Sequence, residues 1–114
     1  MKKADPLSDF SRLCIHTITT KGWELEEAVD RYAEAGVCGV TVWRQWLEGR
    51  NPSESGDRIR AAGLEVTSLC RGGFYPALEE KSREEAIDDN KRAIEDAAAL
   101  GAPLVVLVCG AVPG

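Results

Sequence analysis

At 114 residues the chain has room for one domain with a modest core. Its net charge of −5 argues against a nucleic-acid-binding protein, because a phosphate backbone requires a positive surface. No stretch approaches the roughly 18 apolar residues that cross a bilayer, so we expect no membrane partner. The four cysteines include no CxxC pair, which favours reduced thiols in the cytoplasm over a disulfide framework or a zinc ribbon.

Short apolar segments alternate with amphipathic ones after a polar N-terminal tail over residues 1–10. Four β-prone segments predict strands at residues 13–17, 37–43, 64–70 and 104–108. Three segments between them predict helices at residues 24–35, 53–62 (beginning at Ser53 or Ser55) and 82–100. Each predicted helix ends at a glycine just before the next strand, which makes a loose internal repeat.

Two of these segments carry more detailed expectations. Ser82 and Glu85 form an S-x-x-E capping box that is expected to begin the third helix, with Ile87 and Ile94 on its inward face. The last segment, Leu104 to Val108, consists of five consecutive apolar residues, which is typical of a strand buried on both faces.

The order β-α-β-α-β-α-β predicts a parallel sheet covered by helices, with right-handed connections. Two α/β architectures fit: a small open doubly wound sheet, or part of a (βα)8 barrel. A complete barrel of this kind takes about 250 residues, so four strands are about half of one.

Function in either architecture lies at the C-terminal ends of the strands, where the βα loops converge. His16, the only histidine, is a candidate general acid or base, or else a satisfied imidazole of the core. Arg71, followed by two glycines, is a candidate anion-binding residue, although the segment also fits an ordinary turn. Arg44 is a weaker candidate, because Glu48 four residues on offers it a salt bridge.

Aromatic residues and a cysteine complete the set of candidates. Indole rings pack on the apolar faces of sugars, so Trp23, Trp43 and Trp46 are candidates for a carbohydrate pocket or for plugs of a barrel mouth. The remaining candidates follow the third and fourth strands: Tyr75, Cys109 and Gly110. Nearly all 19 acidic residues lie on predicted helices and none at a strand's C-terminal end. The sequence therefore predicts no hard-cation site within this chain, and the spacing gives no support to a zinc site of Cys14, His16, Cys70 and Cys109.

Four stretches, CIHT, AEAGVCGVTVWRQWLEG, GLEVTSLCRGGFYPA and ALGAPLVVLVCGAVPG, together resemble the sugar phosphate isomerase/epimerase family. The resemblance covers residues 11–114 and implies the N-terminal half of a xylose isomerase-like TIM barrel, a parallel (βα)4 unit. It also implies a divalent metal (Mn, Mg, Co or Zn) that polarises a carbonyl and a hydroxyl. In this family the metal ligands come from the fifth to eighth strands, so the resemblance assigns none to this chain.

What the resemblance assigns to this chain is the substrate-side wall. The positions that match that wall follow the four strands: His16, Trp43, Arg44, Arg71, Cys109 and Gly110. The family's nuclease branch binds zinc through many histidines, and this chain has one.

Three functional hypotheses follow. The chain is half of a metal-dependent sugar isomerase or epimerase, inactive until a C-terminal half-barrel or a second copy joins it. Alternatively, it is a non-enzymatic βα module that binds a small anion or sugar, or a structural subunit that completes a partner's barrel.

Overall fold

The computed structural model describes residues 2–113. The strands are β1 (Cys14–His16), β2 (Gly39–Trp43), β3 (Glu65–Gly73) and β4 (Val105–Val108). The helices are α1 (Leu25–Glu34), α2 (Pro52–Ala61) and α3 (Glu80–Leu100). Single 3₁₀ turns, Thr17–Thr20 and Arg44–Leu47, follow β1 and β2.

The four strands form one parallel sheet in the order β1-β2-β3-β4. Each strand therefore lies beside the one before it, and the helices share one core on a single face of the sheet. A doubly wound sheet has helices on both faces and reverses its strand order, so the arrangement is that of a barrel half. The fold is α/β, half of a TIM barrel as predicted, with four parallel strands and three α-helices between them over residues 2–113.

The core lies between the helices and the outer face of the sheet. From α1 it receives the apolar stripe expected from the sequence, including Leu25, Val29 and Tyr32, which are all buried. Val40 and Val42 of β2 meet this stripe from the sheet and are fully buried. None of the helices in the described part of the chain is long and apolar enough to cross a membrane.

Helix α3 differs from its prediction at both its start and its inward face. It begins at Glu80, with no side-chain cap at Glu79, so the predicted capping box does not form. Its buried positions are Asn90, Ala93, Ala97 and Leu100. Ile87 and Ile94 are 47% and 61% exposed, because they lie beside this stripe on a flank that no neighbouring helix covers among residues 2–113.

The prediction that the last strand is buried on both faces is also wrong. Leu104 and Leu107 are 55% and 54% exposed, and Val108 is 39% exposed. The reason is that β4 is an edge strand, paired with β3 alone. Leu104 and Leu107 join Ile94 in an apolar groove of about 410 Å³ between α3 and β4, which we call the edge groove. It is lined by Tyr75, Asn90, Ile94, Ala97, Ala98, Ala102, Pro103, Leu104, Val105 and Leu107.

Candidate functional site

Small polar residues line the inner face of the sheet, the face turned away from the helices, towards its N-terminal end. Thr67 is the extra residue of a β-bulge against β2, so both Thr67 and Ser68 reach Thr41. The Thr41 Oγ1 atom lies 3.0 Å from Thr67 Oγ1 and 2.7 Å from Ser68 Oγ. The Cys14 thiol lies 3.0 Å from Thr67 Oγ1. These groups satisfy one another, so this layer is structural.

A second β-bulge lies at the C-terminal end of β3. The register passes from Cys70 to Gly72, which leaves Arg71 without a partner on β4. Leu69 belongs to the core on the helix side, and a Cβ on Gly72 would meet the helix-side Asn90. The two residues between Leu69 and Gly72 are Cys70 and Arg71. Their side chains therefore both lie on the inner face, as those of consecutive residues do at a bulge. Cys70 is buried, and burial raises the pKa of its thiol.

His16 and Trp43 form a pair at the C-terminal ends of β1 and β2. The indole Nε1–H of Trp43 donates a hydrogen bond to His16 Nδ1 at 3.0 Å. Since Nδ1 accepts, the proton of the neutral imidazole lies on Nε2. The buried Thr17 accepts a hydrogen bond from the Trp43 backbone N–H at 2.9 Å and ties the two strand ends together. Both rings are only half-buried, so the pair is accessible at the sheet's functional end.

The segment after β3 is held by a buried amide. Asn90 of α3 accepts a hydrogen bond from the Gly73 N–H at 2.6 Å and donates one to the Gly73 carbonyl at 2.9 Å. Gly73 has φ +102° and Phe74 φ +56°, a conformation that costs a bulky residue energy. In this conformation the Arg71 guanidinium lies over the Phe74 ring, 4.2 Å from its centroid.

Arg44 reaches this group at the Arg71 carbonyl, 3.5 Å from its Nη1, but its main partner lies on α3. Its guanidinium makes a two-pronged contact with Asp89 of α3, at 2.9 and 3.0 Å. Hydrogen bonding to Asp89 raises the pKa of Arg44, and the same contact lowers the pKa of Asp89. The alternative weighed from the sequence, a salt bridge to Glu48, is replaced by this longer-range pair. Arg44 thus connects the turn after β2 to α3.

The other predicted residues lie at three places. Trp23 packs against Tyr32 of α1, and its carbonyl accepts a hydrogen bond from Trp46 Nε1 at 2.8 Å. Tyr75 lines the edge groove on the helix side. Cys109 and Gly110 are exposed just beyond β4. A Cβ on Gly110 would lie 3.2 Å from the Phe74 ring, so this segment borders the Arg71–Phe74 pair.

A family model described as xylose isomerase-like TIM barrel matches residues 29–114. The chain belongs to this family. No curated protein gives a significant match. A protein of Sinorhizobium meliloti 1021 is similar in sequence and structure, with 44% identity and a TM-score of 0.81 over 90% of this chain.

Other solved structures share the fold at lower identity. A xylose isomerase domain-containing protein of Salmonella typhimurium LT2 is 20% identical, with a TM-score of 0.74 over 96% of this chain. D-psicose 3-epimerase, solved in the presence of D-fructose, is 10% identical, with a TM-score of 0.63 over 82% of this chain. The chain spans 38% of the S. meliloti protein, 42% of the Salmonella protein and 35% of the epimerase.

The side chains of this xylose isomerase-like unit do not fit a divalent metal. Within residues 2–113, no three His, Cys, Asp or Glu side chains converge as a set of metal ligands. Among residues 2–113, the nitrogen and sulfur ligand atoms at the functional end belong to His16, whose Nδ1 is engaged by Trp43, and to Cys70 and Cys109. We therefore derive no chemical step through a metal held by this chain.

Sequence reasoning missed Asp89 and Asn90, and it placed Phe74 at this end of the sheet without giving it a role. Asp89 and Asn90 lie on a predicted helix, where polar residues are normally solvated. Their partners are 45 and 17 residues away in the chain, so no local pattern marks them. Phe74 beside two glycines was a weak signal, since a bulky residue there marks a turn with unusual backbone angles.

Proposed function

We propose that this chain is the N-terminal half of a metal-dependent sugar or sugar phosphate isomerase or epimerase, one that moves a proton on a carbon of a carbohydrate. Family membership supports an enzyme of this superfamily. The observation that supports the proposal at the level of single residues is the His16–Trp43 pair. It presents a ring N–H and an indole face at the C-terminal strand ends. These are the chemical groups that bind a polyol.

In this proposal His16 is the residue that acts on the substrate from this half. Its Nε2–H donates a hydrogen bond to a substrate hydroxyl, or passes a proton to it. The fixed bond from Trp43 to Nδ1 sets the ring's orientation, which lowers the entropy lost on binding. Trp43, Arg71, Cys109 and Gly110 form the remaining wall. Arg44 and Trp23 support this wall from behind, through Asp89 and Tyr32.

The divalent metal implied by the family would polarise the substrate's carbonyl and hydroxyl when bound. Its ligands, in this proposal, belong to strands beyond the four described here. This chain contributes positioning and hydrogen bonding, in the compartment expected from its cysteines, the cytoplasm.

The proposal also states that this chain forms only part of the barrel. The chain spans 35–42% of the length of the three solved relatives described above, and the edge groove is an apolar surface beside the unpaired edge of β4. A C-terminal half-barrel, or a second copy of this chain, would complete the barrel by pairing at this edge.

The experiment is a chimera that joins this chain to the part of the S. meliloti protein that it does not match. The chimera is incubated in D2O with D-fructose or D-fructose 6-phosphate and each of Mn, Mg, Co and Zn. Deuterium incorporation next to the carbonyl is followed by ¹H NMR. We expect metal-dependent exchange in the chimera and none in the 114-residue chain alone.

His16 is tested in the same chimera. H16F, which keeps a ring but removes the donor, is expected to slow exchange about 100-fold. H16Q restores an N–H donor and is expected to recover part of the rate, while C38S, remote and exposed, leaves it unchanged. A folded chimera that binds these sugars without exchanging a proton would contradict the proposed enzymatic activity and indicate a binding module. A chimera that neither binds nor exchanges would favour the structural subunit.

A further inference from the structure

We propose that Arg71 anchors an oxyanion of the substrate, a phosphate or a carboxylate, so that the substrate is an acidic rather than a neutral sugar. This inference rests on the function proposed above and names its substrate class. The side chain concerned lies on the inner face beside the His16–Trp43 pair, since Cys70, the residue before it, is the register partner of Trp43.

Arg71 is a half-buried arginine with no partner for its donors among the residues that the structure describes. Arg44 and Arg50 are also half-buried, and each forms at least three hydrogen bonds, mostly to carboxylates. Arg71 forms no salt bridge and donates no hydrogen bond within residues 2–113; its contact is the Phe74 ring. A guanidinium has five N–H groups arranged as a fork that matches a phosphate or carboxylate.

The carboxylate that is linked to Arg71 through Arg44 is already engaged. Asp89, which lies close through Arg44, is bound by Arg44 on both oxygens and lies 3.6 Å from Arg92. The Arg71 carbonyl itself contacts Arg44. The charge of Arg71 is thus unneutralised in a chain whose net charge is −5. The negative net charge of the chain repels an anion at long range, so an anion that binds here must be attracted by a local positive charge.

The guanidinium is also held in place before any ligand arrives. The bulge at Arg71 directs its side chain to the inner face, and the Phe74 ring supports it from one side. Phe74 is fixed by a hydrogen bond from its N–H to the Val108 carbonyl and by the Asn90 clamp on Gly73. A structure that holds a bulky residue at positive φ to support an unpaired arginine favours a binding role over a turn.

The test is an NMR titration of the 114-residue chain with inorganic phosphate and, separately, with acetate, at constant ionic strength set by chloride. We expect saturable shifts of the Arg71 Nε–Hε signal and of the Gly72, Gly73 and Phe74 amides. R71Q is expected to weaken binding about tenfold, equivalent to the loss of one charged hydrogen bond. R71K keeps the positive charge but not the fork of N–H donors, so its affinity for the anion is expected to lie between those of the parent chain and R71Q.

Arg12 provides the matched control, because it is an exposed arginine at the opposite end of the sheet. R12Q removes the same charge and is expected to change binding less than twofold. Equal weakening by R12Q and R71Q, or shifts that rise linearly across all arginines up to about 100 mM anion, would overturn the inference. Saturation by phosphate alone indicates a phosphate ester, and saturation by acetate alone a sugar acid.

The two proposals fail separately, because this titration needs no turnover. Suppose that the chimera exchanges deuterium equally well with D-fructose and with D-fructose 6-phosphate, and that phosphate does not bind at Arg71. The proposal of an oxyanion site would then be wrong, and the proposal of an isomerase would stand. Phosphate binding at Arg71 without deuterium exchange in the chimera would support the oxyanion site and contradict the isomerase.

Discussion

Asn90 uses its whole side-chain amide on backbone groups. Besides the two hydrogen bonds to Gly73, its Nδ2 donates to the Ala86 carbonyl at 2.7 Å, and the residue is 6% exposed. A polar side chain buried to this extent on a helix is stable because every hydrogen bond is satisfied. Asn90 is therefore what fixes the end of β3 and, through it, the segment that carries Phe74.

The first prediction is that N90L destabilises the chain although it adds an apolar side chain to a buried position. Leucine leaves the Gly73 N–H and carbonyl without partners, which costs about 2–4 kcal/mol for the two groups. N51A, which removes an exposed asparagine that caps α2, is expected to cost about 1 kcal/mol. Urea unfolding followed by tryptophan fluorescence measures both. An N90L chain as stable as the parent would show that the clamp contributes nothing.

At the scale of elements, α2 and α3 approach each other closely at Gly56. A Cβ at this position would lie 2.2 Å from the Leu100 carbonyl oxygen and 2.9 Å from its carbon. Arg60 of α2 donates a hydrogen bond to the same carbonyl at 3.0 Å. The glycine is thus required by close packing between two backbones.

The second prediction concerns this contact. Alanine normally stabilises a helix interior by about 1 kcal/mol relative to glycine, but G56A is expected to destabilise the chain by about 1–3 kcal/mol. The helices must move apart to admit the methyl group. G22A is the control, because a Cβ at Gly22 meets nothing within 4 Å; it is expected to change stability by less than about 0.5 kcal/mol. If thermal unfolding shows G56A to be the more stable variant, the packing argument fails.

Elements with one strong local signal could be predicted from the sequence. Helix α1 shows its apolar stripe every three or four residues, and β2 is a β-branched run, so both were expected at nearly their observed positions. Helix α3 is less regular because its buried stripe includes Asn90, which hydropathy alone places in solvent. The S-x-x-E motif begins at Ser82, the third residue of that helix, where it caps nothing.

The candidate site was partly predictable for a similar reason. Strand ends locate His16, Trp43 and Arg71 at the functional end, since a parallel sheet brings all its C-terminal ends together. The direction of each side chain depends on the bulges and on contacts between distant residues. Arg44 faces Asp89, and Arg71 is turned inward by a bulge that no local pattern marks.

At the scale of the whole molecule, the edge groove is a continuous apolar surface that the helices do not cover. Ile94, Leu104 and Leu107 are each more than half exposed there, beside an unpaired strand edge. Apolar surface of this kind beside open backbone groups favours association. The third prediction is that the chain alone self-associates at micromolar concentration and that L107K makes it monomeric. L78K, at a leucine that is 77% exposed outside the groove, is expected to leave association unchanged.

The most direct test of the half-barrel account is sedimentation velocity of this chain mixed with the part of the S. meliloti protein that it does not match. The account predicts a single 1:1 complex that forms at the expense of any self-associated chain and that L107K weakens. A chain that sediments as a folded monomer, alone and in the mixture, would contradict it.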